Sequence, residues 1–291
     1  MPRVALLSTD NLEEFFVYDE LLTAPLAKHG WQTDTVSWRN DRIDWTYYDL
    51  VIVRSTWDYQ QDPDAFISRL KHIAAHTRLE NPLALMLWNI DKSYLTELAA
   101  RGVPVIPTHW ASCFDYDALL RCFETFSSQG LVIKPTVSAN ADDTFWLTPD
   151  NCADHQQQLQ NTFGQRPHMI QPFVNAITEE GEYSLFYFGG ALSHTIIKTP
   201  KQHDFRVQEE HGGQLELVSA SVRMQAVGEQ TLAALPASAL YARIDMVRFN
   251  DDWAVMEVEL IEPSLYFNLD PASPARFVEA MLGYLEPPQP A

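Results

Sequence analysis

Asp245, Glu257 and Glu259 are the residues of this 291-residue chain whose spacing could hold a cation. They lie in two strand-like runs, Tyr241 to Phe249 and Trp253 to Pro263, around a polar Asn250-Asp251-Asp252 turn. A three-residue loop pairs Phe249 with Trp253, and counting four residues outward sets Asp245 opposite Glu257. Glu259 follows on the same face, while Met256, Val258 and Leu260 take the other and offer an apolar, period-two set for packing. Like charges opposed across a ladder destabilise it, by roughly 4 kcal/mol per pair about 4 Å apart at an effective dielectric of 20. A hard divalent cation reverses that sign, and oxygen-only ligands suit Mg²⁺ or Mn²⁺. A solvated acidic hairpin fits the same residues.

Two basic residues stand where such a site needs them. Lys134 ends the apolar run Leu131-Val132-Ile133 and precedes Pro135, so its ammonium could meet a polyphosphate at a strand end. Arg206 lies in a polar loop closed by Gly212-Gly213, which permits close backbone approach to a ligand. An ordinary edge lysine and a plain hairpin loop would read alike. His72 and His76 share the i, i+4 spacing of a helical metal pair, but flanking Lys71 and Arg78 favour a solvated helix face. Cys113, Cys122 and Cys152 have no CxxC spacing, which suggests reduced thiols and neither disulfides nor structural zinc.

The elements that must carry these groups alternate at first. Val4 to Leu7 reads as a strand, Tyr18 to His29 as helical, Thr33 to Trp38 as a strand, and Asp49 to Arg54 as a buried parallel strand. Asp62-Pro63 supplies an N-cap and first helical residue for a helix carrying Phe66, Ile67, Leu70 and Ile73. Leu83 to Trp88 reads as a further strand. This is a Rossmann-like α/β layer, in which ligands sit beyond the carboxyl ends of strands, where Arg54, Thr56, Trp57, Asp58 and Tyr59 stand. A helix from Lys92 to Arg101 leads to a new unit with a helix near Asp115 to Phe126, strands Leu131 to Lys134 and Thr144 to Leu147, and a helix after Asp150. Met169 to Val174 leaves it as a strand. The remainder is mostly antiparallel: Tyr183 to Phe188, a Gly189-Gly190 turn, Ala191 to Lys198, and the acidic hairpin. The Pro-rich stretch from Glu286 to Pro290 reads as a frayed tail.

Composition limits the partners. Hydrophobic residues at 46% suffice for real cores, and a net charge of -19 disfavours nonspecific binding of nucleic acid or anionic membranes. No run of about 18 apolar residues occurs and the start lacks a signal-peptide core, so a cytoplasmic enzyme or small-molecule binder is expected.

The order of these pieces carries a resemblance. A βαβ unit, Lys92, Val-Ile-Lys134-Pro, Gln171-Pro-Phe-Val, Gly181-Glu-Tyr-Ser-Leu, Arg206 before Gly212-Gly213, then Asp245 and Glu257-Val-Glu259 resembles the ATP-grasp superfamily over about residues 85 to 275. It looks most like the branch of glutathione synthetase, the RimK-type ligases and the cycloserine-forming cyclo-ligase. The resemblance implies a Rossmann-like domain at 1–90, a small ATP-grasp subdomain at 91–170 and a large one at 171–291. It implies Lys92 and Lys134 on ATP phosphates, Gln171, Pro172, Phe173 and Val174 along the adenine, and Glu179 or Glu182 on the ribose. Arg206 would stabilise transferred phosphate, and Asp245, Glu257 and Glu259 would hold Mg²⁺ or Mn²⁺. The acid substrate is expected near Arg54, Thr56, Trp57, Asp58 and Tyr59, with Lys198 and Arg206 completing the site.

The implied reaction is ATP-dependent C–N ligation of a small amino-acid or peptide-like acid through an acyl phosphate, with ring closure, a kinase or a nucleotide-binding protein without turnover as alternatives. A homodimer is expected from relatives. Three departures stand out: Glu259 replaces the usual Asn, Gln208 replaces another, and the loop from Pro135 to Thr144 has no glycine. In that loop, the amides of Ser138, Ala139 and Asn140 could still cover phosphates, whereas inward-facing Asp142 and Asp143 would repel them.

Overall fold

The computed structural model describes residues 1–13, 15–138, 141–201, 204 and 206–285. Ala139, Asn140, Phe205 and the stretch from Glu286 to Pro290 lie outside the described residues. Among the described residues the strands form three sheets.

The first sheet is parallel and built from short apolar runs. β1 (Arg3–Ser8) is followed by α1 (Thr23–Lys28), β2 (Gln32–Ser37), β3 (Leu50–Ser55), α2 (Pro63–His76) and β4 (Arg78–Glu80), with strand order β2-β1-β3-β4. All six residues of β3 are buried, as a continuous apolar run in a parallel sheet requires. The Asp62 carboxylate accepts from Ala65 N–H at 3.2 Å and Pro63 opens α2, so this cap is as the residue types predict. Leu83 to Trp88 is not a strand but α3 (Leu83–Asn89). A short apolar run fits either element by periodicity alone, and here the helix places Asn89 against the last sheet.

Lys92 precedes rather than rides α4 (Tyr94–Ala100), and its backbone N–H donates to Thr136 O at 2.8 Å. The second sheet follows, with β5 (His109–Ala111), α5 (Tyr116–Thr125), β6 (Leu131–Pro135), β7 (Phe145–Leu147), α6 (Cys152–Phe163) and β8 (His168–Pro172). Its order is β5-β8-β6-β7, all antiparallel, over a core of Leu119, Leu131, Ile133, Leu147, Leu159 and Phe163.

After α7 (Ala176–Glu179) come β9 (Glu182–Phe188), β10 (Ala191–Thr199), β11 (Gln214–Val218), α8 (Val222–Ala233), β12 (Tyr241–Phe249), β13 (Asp252–Glu259) and α9 (Ser273–Leu285). The third sheet is antiparallel in the order β11-β10-β9-β12-β13. The expected three-residue loop between β12 and β13 is corrected to a two-residue turn. Phe249 pairs with Asp252, and Asn250 and Asp251 both have positive φ, 49° and 63°, which is the twist a tight hairpin favours. The register recovers because a bulge leaves Met256 unpaired between Val255 and Glu257, so Asp245 still faces Glu257 and Arg243 faces Glu259. The bulge also turns Met256 away from the core face that Val255, Val258 and Leu260 occupy, and Met256 lines a cleft instead.

As an edge strand, β13 leaves backbone groups to be satisfied by other elements. Val255 N–H donates to Pro104 O at 2.8 Å, Asn89 donates to Val258 O at 2.8 Å, and Leu260 N–H donates to Asn89 Oδ1 at 2.9 Å. The Tyr94 hydroxyl donates to Val258 O at 2.9 Å and accepts Val258 N–H at 2.8 Å. The segment bearing Glu257 and Glu259 is thereby clamped to α3 and α4.

Candidate active site

One cleft between the three sheets gathers Lys92, Lys134, Gln171, Pro172, Phe173, Val174, Glu182, Lys198, Arg206, Asp245, Glu257 and Glu259, together with Trp57 and Tyr59. Strand ends supply most of them. Lys134 projects from β6, Glu182 opens β9, Lys198 lies near the end of β10, and Asp245 and Glu257 face each other across β12 and β13.

The carboxylates are paired with cations from separate elements. Lys92 Nζ lies 3.0 Å from Glu257 and donates to Ser138 O at 2.8 Å, while Lys134 Nζ lies 3.8 Å from the other Glu257 oxygen. Burial works against the Glu257 charge, but the two lysines outweigh it and hold its pKa below the ordinary value. Burial acts on Lys134 more strongly than Glu257 does, and lowers the pKa of its ammonium. Lys198 pairs with Glu182 and lies 3.4 Å from Asp245. Asp245 drops to about 2 despite burial, because Arg243 and Lys198 oppose it and Ser184 donates a hydrogen bond. Glu259 pairs with Arg243, yet burial, together with repulsion from Asp245 and Glu257, raises it to about 7.

Among the described residues no group of three or more His, Cys, Asp and Glu side chains is arranged as a ready metal cage. The donor chemistry nevertheless fits a hard divalent ion. Asp245, Glu257 and Glu259 offer oxygen ligands in one cleft, and the upward push on Glu259 is the frustration that a cation relieves.

Along the other wall, Gln171 donates to Thr108 Oγ1 at 3.0 Å and Phe173 N–H donates to Gly130 O at 2.8 Å. Phe173 stacks on Trp146 with centroids 4.5 Å apart. A Cβ on Gly130 would stand 2.9 Å from both Phe173 Cβ and Trp146 Nε1, so glycine is required for this approach. Glu182, buried at the cleft, and Glu179, exposed on α7 and off the cleft lining, are separated by the structure.

The glycine-free loop after β6 turns its acids outward. Asp142 accepts from Gln60 Nε2 at 3.1 Å and Asp143 from Arg166 at 2.5 Å, and neither lines the cleft, whereas Ser138, Ala141 and Thr144 do. Arg206 lines the cleft with its guanidinium donating to Asp204 at 2.9 and 3.1 Å. Gly213 serves a different purpose from the one expected: a Cβ there would collide with the Val207 carbonyl, so the close approach is to the loop's own backbone.

The substrate cluster divides. Arg54 is 1% exposed, donating to Asp19 at 3.0 Å and Pro263 O at 2.8 Å, so it is a structural tie and not a ligand contact. Thr56 is fully buried, and Asp58 is held by Trp38 and Arg39, each at 2.7 Å. None of the three lines the cleft. Trp57 and Tyr59 do, and both meet a residue that the sequence reading missed, Glu262: Trp57 Nε1 donates to its carbonyl at 2.8 Å and the Tyr59 hydroxyl to its carboxylate. Burial first, then Glu259, raises Glu262 to about 8. Arg243 was missed as well, although its place two residues before Asp245 on β12 was the signal available.

This arrangement can be set beside known proteins. Residues 4–81 match the family model described as D-cycloserine synthetase DcsG, N-terminal domain. The chain is 29% identical over 273 residues to the cycloserine biosynthesis protein DcsG of Streptomyces lavendulae, covering 89% of this chain and 90% of that protein. The crystal structure of D-cycloserine synthetase DcsG superposes with a TM-score of 0.86 at 27% identity, covering 98% of this chain and 100% of that one. The chain is a homologue of that cycloserine biosynthesis protein. The fold is shared with a RimK domain ATP-grasp protein from Sphaerobacter thermophilus, at a TM-score of 0.70, 16% identity and coverage of 97% and 100%. It is shared also with a D-alanine–D-alanine ligase from Bacillus anthracis solved with ATP, at a TM-score of 0.69, 15% identity and 97% of each chain.

Proposed function

We propose that this ATP-grasp homologue is an ATP- and Mg²⁺-dependent ligase that activates a small amino-acid or peptide-like acid as an acyl phosphate and joins it to an amine, in another molecule or its own. The observation that carries the reading is the charge balance of the cleft. Five cations, Lys92, Lys134, Lys198, Arg206 and Arg243, face six carboxylates, Glu182, Glu210, Asp245, Glu257, Glu259 and Glu262. Lys92, Lys134, Lys198 and Arg243 are already paired with these carboxylates, so a polyphosphate is accepted best when divalent metal takes the carboxylates over and frees the cations.

A substrate carboxylate oxygen attacks the γ-phosphorus of ATP and ADP leaves. The amine then attacks the acyl carbon, the C–O bond to phosphate breaks, and the amine loses a proton. Asp245, Glu257 and Glu259 would hold the metal, which would supply neutralisation of phosphate charge. Lys92 and Lys134 would turn from Glu257 to the phosphates, while Lys198, Arg206 and Arg243 offer donors for charge developing on the transferred group. Gln171, Pro172, Phe173 and Val174 flank the adenine, and Glu182 is the better placed of the two ribose candidates. The parallel sheet supports a Rossmann-like unit at 1–90, and the second and third sheets support the division near 170. Among the described residues no helix is long and apolar enough to cross a membrane; a cytoplasmic location is our expectation. A homodimer is our expectation, to be read by sedimentation.

Calorimetric titration of ATP with and without Mg²⁺, on the wild type and on Glu257→Gln, tests the site. Metal-dependent binding that weakens at least tenfold in the variant is expected; equal binding in all four cases removes the proposal. Mass analysis of products separates the outcomes, because ligation and cyclisation lose water from the substrates, whereas a kinase product retains phosphate. Nucleotide binding without phosphate release by any acid and amine leaves a binder.

A further inference from the structure

We propose that Tyr18, in the first unit, positions Arg206: its hydrogen bond to Glu209 fixes the segment 206–210 against the cleft, so that the Arg206 guanidinium meets the phosphate being transferred. The inference rests on the ligase reading above and adds a residue that acts on Arg206 from outside the cleft.

The segment faces two ways. Arg206, Val207, Gln208 and Glu210 line the cleft, whereas Glu209 does not. Glu209 turns to the first unit, where the Tyr18 hydroxyl donates to it from 3.1 Å of each carboxylate oxygen. Burial pushes the Glu209 carboxyl up, and the bond from Tyr18 opposes that push, so the phenol favours the charged carboxylate. A hydroxyl on a carboxylate is a charge-assisted bond, stronger than one between neutral groups.

A second attachment is what the segment needs. Its regular structure is one 3-10 turn, Glu209–His211, in the connection between β10 and β11. Val207, 3% exposed, seats in an apolar cluster with Ile106, Val174, Ile177, Val247 and Ala254. One apolar side chain sets the depth of the segment and leaves a pivot, which the bond at Glu209 removes. Asp204 orients the guanidinium, but it belongs to the same connection and turns with it. Tyr18 in turn is rooted in the first unit. It precedes Asp19, which accepts from buried Arg54 at 3.0 Å, and Arg54 also donates to Pro263 O at 2.8 Å. Tyr18 directly, and Asp19 through Arg54, therefore grip both walls of the cleft: the connection bearing Arg206 and the segment after β13 bearing Glu262.

The test is a calorimetric titration of the full chain with Mg²⁺, using ADP and the non-hydrolysable analogue adenylyl imidodiphosphate, while amide hydrogen exchange is followed over 206–213. Tyr18→Phe removes one oxygen, and Arg206→Ala is the reference. Arg206→Ala is expected to lose the advantage of the analogue over ADP. Tyr18→Phe should lose at least fivefold of it while Mg–ADP affinity stays within twofold, with exchange over 206–213 at least tenfold faster in Tyr18→Phe and unchanged in Arg206→Ala. Glu209→Ala should match Tyr18→Phe and add nothing to it in the double variant, whereas Glu209→Gln, which keeps an acceptor for the phenol, should retain most of the advantage. Wild-type behaviour in Tyr18→Phe, equal weakening of both nucleotides, or additive losses in the double variant overturn the proposal. An Arg206→Ala that holds the analogue as the wild type does overturns it too, because the segment then brings nothing to the phosphate. If the wild type binds neither nucleotide, the ligase reading falls and takes this inference with it.

Discussion

Glu259 and Glu262 are held as acids against their ordinary value of 4.5, at about 7 and about 8, by burial first, then by Asp245 and Glu257 at Glu259 and by Glu259 at Glu262. The folded state therefore binds more protons than the unfolded chain between about pH 4.5 and 8, and stability falls as pH rises through that window. Asp245, lowered from 3.8 to about 2, acts in the opposite sense and its contribution is lost only as pH falls below 4. Melting of the ligand-free protein should move to lower temperature between pH 6 and pH 8.5, and Mg²⁺ with ADP should reduce the difference. A melting temperature that rises over that interval would refute the assignment of these two pKa shifts. At this scale the sequence was informative where chemistry stands in order along the chain: Lys92, Lys134, Gln171, Lys198, Arg206 and the hairpin carboxylates all reach one cleft. It misled at Arg54, whose position at the carboxyl end of β3 suggested a ligand contact while Asp19, 35 residues away, claimed its charge. Glu262 carries no local pattern at all, because its environment is made by Trp57 and Tyr59 from the segment that follows β3, some two hundred residues away.

The carboxylate strand depends on elements that contribute no chemistry. Tyr94 on α4 satisfies both the N–H and the carbonyl of Val258, between the two glutamates on β13. Tyr94→Phe leaves the Val258 N–H unsatisfied in a buried setting, while Asn89 still donates to the Val258 carbonyl, and is expected to cost about 1–3 kcal/mol. Urea unfolding measures the loss, and a change under about 0.5 kcal/mol, the size typical of a surface substitution, would mean that water replaces the hydroxyl. The misread elements share a physical cause. Leu83 to Trp88 is apolar without a decisive period, and its helical state follows from what Asn89 must reach on β13. The hairpin turn was misjudged by one residue, yet the carboxylate pairing survived, since the Met256 bulge restores the register that burial of Val258 and Leu260 demands.

A net charge of -19 surrounds a cleft that must admit an anion. The long-range field repels nucleotide, while the lysines and arginines act near contact. Raising salt from 0.01 to 0.15 M shortens the screening length from roughly 30 to roughly 8 Å, and should speed association of Mg–ATP as the repulsion is screened. Stopped-flow mixing reads this directly, and a rate that falls with salt would mean that the cleft cations steer from a distance. The alternating first third and the antiparallel remainder were legible from apolar runs, whereas the convergence of three sheets on one cleft was visible only through the resemblance, because contacts of long sequence separation leave no local periodicity. The hairpin offers an engineering handle as well. Asn250 and Asp251 are exposed at its tip, and the ladder from Phe249 and Asp252 inward is closed before the bulge, so a peptide tag or dye-labelled cysteine inserted between them would lengthen the tip alone. The protein could then be immobilised or made fluorescent at a point rigidly joined to its carboxylates without touching them.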